Sequence, residues 1–98
     1  MTTENPQIKI EIDETTARGI YTNLAFISHS ETEIVLDFTF LQPQNAKAKV
    51  LARIVTSPLH AKRLLAALQD NIAKYEERFG EVPADAPAPA PKKVDFYQ

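Results

Sequence analysis

Cysteine is absent from this chain of 98 residues, so neither a disulfide nor a thiolate metal site can staple the fold. That absence fits a cytoplasmic setting. Glycine is almost absent too: Gly19 and Gly80 stand alone, and no glycine-rich phosphate loop can be built from them. Only two histidines occur, His29 in a turn and His60 early in a helical pattern, with no further ligands converging in sequence. No charge of one sign dominates. Eleven Lys and Arg against 13 Asp and Glu leave a formal net charge of −2, which argues against a nucleic-acid partner. No apolar run approaches the ~20 residues that span a bilayer, so no membrane association is expected. Met1-Thr2-Thr3-Glu4-Asn5-Pro6 has neither a basic region nor an apolar one, so no signal peptide is expected there.

Catalytic patterns are equally scarce. Ser28-His29-Ser30 sets hydroxyls beside an imidazole, but neighbours along a strand point to opposite faces. A Gly-x-Ser-x-Gly elbow does not occur. Asp13, Glu14, Glu31 and Glu33 lack the alternation and central glycine of a calcium loop. No catalytic residue, metal ligand or cofactor site is assigned, and the expectation is a protein that is not an enzyme.

What the chain does have is periodicity. Ile8-Lys9-Ile10-Glu11-Ile12 alternates as a short strand does, suited to an edge or to pairing with a partner subunit. Asp13 to Gly19 reads as a capped single turn. Alternation over Ile20–Ser28, Ile34–Leu41 and Lys47–Val55 predicts three longer strands. Short polar turns at His29–Glu33 and Gln42–Asn45 join them into an antiparallel meander. Ser57-Pro58 then opens a helix that Gly80 closes. Along it Ala61, Leu64, Leu65, Leu68, Ile72, Tyr75 and Phe79 form one apolar stripe. The predicted fold is α+β: a meander of three to four strands followed by one long C-terminal helix packed on one sheet face. Residues 1–6 are expected to be disordered, 7–80 to form a single domain, and 81–98 to be a disordered Pro/Ala-rich tail.

The helix can cover only one sheet face, taken to be that of Ile34, Leu36, Phe38, Phe40, Val50 and Ile54. The other would show Tyr21, Ile27, Val35, Leu41, Leu51 and Val55 among a few charges. A half-apolar face of that kind suggests an interface, and a thin core favours association. These six residues are therefore the candidate interface of a homo-oligomer, most simply a dimer. Lys47, Lys49 and Arg53 share one face of the last strand in this reading and are the candidate anion-binding residues. The terminal Val94-Asp95-Phe96-Tyr97, tethered beyond the Pro/Ala run, is a candidate motif for a protein or peptide partner.

Two blocks together carry a resemblance: Gly19 to Ser30 continuing to Val35-Leu36-Asp37-Phe38, and Ala48-Lys49-Val50 through Arg53 to Leu65. Their combination resembles a family of short bacterial proteins known as a domain of unknown function, over roughly Ile10 to Gly80. The resemblance implies no activity and no site residues. The layout of meander and helix is also similar to that of the export chaperone SecB, a tetrameric binder of unfolded chains, as an analogy of fold alone. The function expected is an oligomeric binding or adaptor protein that holds extended polypeptide. The alternatives are a module for nucleic acid or anionic ligands and an enzyme with an intersubunit site.

Overall fold

The computed structural model describes residues 7–83. The chain divides into two compact units, one ending at Pro58 and the other beginning at Leu59. The first unit holds helical turn α1 (Glu14–Ala17) and strands β1 (Leu24–His29), β2 (Ile34–Gln42) and β3 (Lys47–Thr56). The strands form an antiparallel sheet in the order β1-β2-β3. The second unit is built on helix α2 (Pro58–Phe79). The class is α+β, a three-stranded open sheet followed by a C-terminal helix.

Each turn has a local cause. Asp13 caps α1: its Oδ1 accepts from the Thr16 N–H at 2.7 Å, and that bond holds the carboxyl below its ordinary pKa. Gly19, at φ +74°, takes the left-handed conformation that stops the turn. Between β1 and β2, Ser30 Oγ accepts from the backbone of Thr32 and Glu33. Between β2 and β3 the chain turns through Pro43–Ala46, with Ala46 left-handed at φ 50°.

Two expectations are corrected here. Ile8–Ile12 joins no strand, and Ile8, Ile10 and Ile12 are 79%, 86% and 66% exposed. Alternation specifies a strand only where a ladder partner is offered, and no described strand of the chain offers one to this segment. The first meander strand begins at Leu24 rather than Ile20, because Asn23 ends the regular ladder. Its Nδ2 donates to the Leu41 carbonyl at 3.0 Å, and the Leu41 N–H donates to its Oδ1 at 2.8 Å. The side-chain amide thus replaces a backbone rung.

Pairing fixes two faces. Leu24, Phe26, Val35, Asp37, Thr39, Leu41, Val50, Arg53 and Val55 lie on one; Ala25, Ile27, Ile34, Leu36, Phe38, Phe40, Lys49, Ala52 and Ile54 lie on the other. Between them the register shifts: Phe38 pairs with Ala52 but Thr39 with Val50, leaving Leu51 as a bulge. Burial concentrates on β2, where Leu36 is buried on one face and Asp37 and Thr39 on the other.

The bounds of α2, Pro58 and Phe79, are those its sequence signals predict. Gly80 stops it at φ +98°, and Glu76 closes the end by accepting the Val82 N–H at 2.7 Å. The helix has no buried residue. Its stripe, expected to be buried, is exposed: Leu65 56%, Leu68 53%, Tyr75 53% and Phe79 65%. The unit it belongs to offers no second described element to close over it.

Removing the Asn23 amide tests the rung. Asn23→Ala deletes both side-chain bonds to Leu41 and should cost about 1–2 kcal/mol in urea unfolding, given about 1 kcal/mol net per hydrogen bond. A loss under about 0.3 kcal/mol would show that water replaces the amide freely.

Candidate functional site

The most defined polar feature of the sheet is an ion pair directly across the β2–β3 ladder. Asp37 and Arg53 are register partners. Arg53 Nε donates to Asp37 Oδ1 at 2.7 Å, and Nη2 donates to Oδ2 at 2.9 Å, a bidentate fork. The two ends differ in solvation: the carboxylate side chain is 4% exposed and the arginine 58%. The bond from Arg53 holds the Asp37 carboxyl below its ordinary pKa, against the opposing effect of burial. The same bond raises the Arg53 pKa. Next to the pair Thr39, fully buried, donates from Oγ1 to the Asp37 carbonyl at 3.0 Å. All these groups are satisfied within the sheet, which is the arrangement of a structural clamp.

The bulge at Leu51 redistributes the candidate residues. Lys47 and Lys49 pair with Gln42 and Phe40, on the face opposite to Arg53. The three cations therefore do not form one patch, and Arg53 is engaged by Asp37. The candidate interface is divided as well. Val35, Leu41 and Val55 share a face, Ile27 lies on the other, and Leu51 is the unpaired bulge residue. Tyr21 precedes β1 and sets its ring 6.3 Å from Phe40, edge on. A one-residue slip inverts every side chain beyond it, and the bulge is such a slip. Val50, assigned from alternation to the face of Ile34 and Leu36, is moved by it to the other face.

Among the described residues chemistry-bearing side chains do not gather elsewhere. His29 ends β1 and His60 lies in the first turn of α2, both exposed. Among the described residues no three His, Cys, Asp or Glu side chains stand where they could hold a metal. A depression at Gln7, Ile8 and Lys9 brings together one ammonium group and no nucleophile. The motif Val94, Asp95, Phe96 and Tyr97 lies outside the described residues, as do residues 1–6 and the tail from 84 onward. No described helix is long and apolar enough to cross a membrane.

What remains open is an edge. Among the described residues β1 has β2 on one side and no strand on the other. Leu24-Ala25-Phe26-Ile27-Ser28-His29 contains no Lys, Arg, Asp, Glu or Pro. The opposite edge, β3, carries Lys47, Lys49 and Arg53 together with the bulge, the usual devices that discourage further pairing. Alternation pointed to the strands but not to this asymmetry. Its sequence signal was the uncharged run from Ile20 to Ser28.

The clamp has an asymmetric consequence. Arg53→Leu strands a desolvated carboxylate, whereas Asp37→Asn releases a guanidinium already half in water. At pH 7, Arg53→Leu should therefore lower the urea midpoint more than Asp37→Asn. Because the folded pKa of Asp37 lies below its unfolded value, the pair's stabilisation is present above the unfolded pKa. It is lost as pH falls through the folded pKa. The gap between the variants should close in titrations toward pH 2, and a constant gap would refute the solvation argument.

No curated protein and no solved structure matches the chain. A family model does, described as a protein of unknown function and aligned with residues 1–83, the sheet and the helix included. With so much of its length matched, the chain belongs to the DUF3467 family.

Proposed function

We propose that the chain is a non-enzymatic, homo-oligomeric binding protein that takes an extended polypeptide segment as an added strand on β1. The observation that carries this reading is the asymmetry of the two sheet edges. An added strand is held mainly by backbone hydrogen bonds, with side-chain pockets refining the choice. An uncharged edge of six residues suits such a guest, and a charged, bulged edge does not. Ile27, 66% exposed, and the neighbouring Ala25 would supply the contact on one face of the guest.

Oligomerisation belongs to the same reading. Leu36 is the one buried apolar side chain among the described residues, while Ile54, Val55, Leu65, Leu68 and others stand exposed. So small a core is marginal for a lone chain, and apolar surface on this scale is commonly closed by a partner. The likeness to SecB expected from the sequence adds to the proposal only as an analogy of architecture. A cytoplasmic setting, expected from the cysteine-free sequence, is part of the same proposal.

Fluorescence anisotropy with a labelled ten-residue peptide of alternating Val and Thr tests it. Saturable binding in the micromolar range is expected, weakened at least tenfold by Ala25→Lys or Ile27→Lys and unaffected by Val55→Lys on the other edge. An absence of binding at 100 µM protein, or equal affinity in all variants, would end the proposal.

A further inference from the structure

The exposed stripe of α2 is ordered more finely than an amphipathic helix requires. Ala61, Leu65, Leu68, Ile72, Tyr75 and Phe79 follow alternating steps of four and three, the 3.5-residue repeat of a coiled-coil seam sustained from the first turn of the helix to its last. Leu64 flanks the seam. The surface is also laterally supported. Tyr75 and Phe79 meet with ring centroids 5.0 Å apart and planes tilted by 44°, Arg78 lies over the Phe79 ring at 5.2 Å, and Lys74 pairs with Asp70 behind the seam at 3.0 Å.

We infer that α2 of one copy docks antiparallel on α2 of a second copy through this seam. The inference deepens the oligomeric part of the function proposed above and rests on it. Three observations select this occupant and this direction. The first is area. Leu64, Leu65, Leu68, Ile72, Tyr75 and Phe79 are between 45% and 65% exposed. Side chains of that size, about half exposed, offer about 500 Å² per copy, so a pair of helices reaches about the 1,000 Å² that a specific interface requires.

The second observation is size complementarity. In an antiparallel pair with the two-fold axis at the level of Asp70, Ala61 meets the partner's Phe79, Leu65 meets the partner's Tyr75, and Leu68 meets the partner's Ile72. The smallest seam residue faces an aromatic ring. A parallel pair in register would set Ala61 on Ala61 and Phe79 on Phe79, leaving a void at one end and a crowd at the other.

The third is charge. Lys62 and Glu76 occupy equivalent flanking positions of the heptad, and in the antiparallel register Lys62 lies opposite the partner's Glu76, twice per dimer. One Glu76 oxygen, Oε2, accepts the Val82 N–H, which fixes the carboxylate at the helix end without discharging it. In the parallel pair the flanking contacts are Leu64 with Gln69 and Asn71 with Glu76, and no opposite charges meet.

Sedimentation equilibrium of the full chain, followed by a charge swap, tests the seam. A dimer of twice 11.0 kDa is expected at micromolar concentration. Leu68→Lys should make it monomeric while circular dichroism retains the sheet. Lys62→Glu and Glu76→Lys should each weaken association about fivefold, an effect of the size that solvated pairs produce. The double variant Lys62→Glu/Glu76→Lys should recover it, since only the antiparallel register restores both pairs. An oligomer indifferent to Leu68→Lys and to either charge reversal overturns the seam but leaves the oligomeric reading standing. A stable monomer overturns both, and peptide affinity measured on the same samples judges the β1 edge independently. Weakening by each single reversal without recovery in the double variant overturns the antiparallel direction.

Discussion

Everything in the first unit depends on the central strand being laddered on both sides. Among the described residues β2 is the only strand with two neighbours, and the buried residues all lie on it. Its flanks are pinned by side chains that act as extra rungs. Asn23 grips the backbone of Leu41 toward one end, and Arg53 grips Asp37 nearer the middle. A three-stranded sheet has no interior beyond that strand. Its outer strands keep one edge each in solvent, so what happens at those edges decides whether the sheet stays as it is or grows.

The bulge at Leu51 is the pivot of that decision. It shifts the phase of β3 so that Lys47 and Lys49 share a face with Phe40, while Arg53 stays with Asp37. An unbulged strand would carry its charges on one face and leave the other apolar. With the slip, both faces of the β3 edge carry a cation, and the local twist is increased. β3 is defended by these features and β1 is not. The same slip that breaks the regular ladder therefore sets the β3 edge apart from β1, which carries no Lys, Arg, Asp or Glu.

Much of this was legible in the residues. The bounds of α2 follow from Pro58 at the start and Gly80 after the end, and both hold because these signals act locally, within a turn of the chain. β2, bounded by polar turns and apolar at most of its positions, is equally plain. The failures are non-local. Ile8–Ile12 alternates as well as any strand here, yet alternation says nothing about whether a ladder is offered. Val50-Leu51-Ala52 is an uninterrupted small and apolar run, so the phase of β3 can change there without a mark in the pattern. The candidate anion site inherited that error, because it assumed one phase from Lys47 to Val55, and so did Leu51 of the candidate interface, whereas Ile27 was displaced by the β1–β2 register that sets it opposite Leu36. Asn23 reads as a polar residue in a strand. Only the spatial approach of Leu41 makes it a rung.

The exposed apolar surface ties these features together energetically. A chain whose described residues include a single buried apolar side chain gains little from its own core. Any association that covers the sheet edge or the helix seam then adds directly to the stability of the folded state, by mass action on the native form alone. On the proposed reading folding and binding are coupled: stability would depend on concentration, and a guest strand would stabilise the sheet that receives it. The clamp of Asp37 and Arg53 has its place in this balance. A bidentate pair fixed across the ladder sets the register of β2 and β3 before any partner arrives, and a partner can then add to a sheet whose phase is already determined.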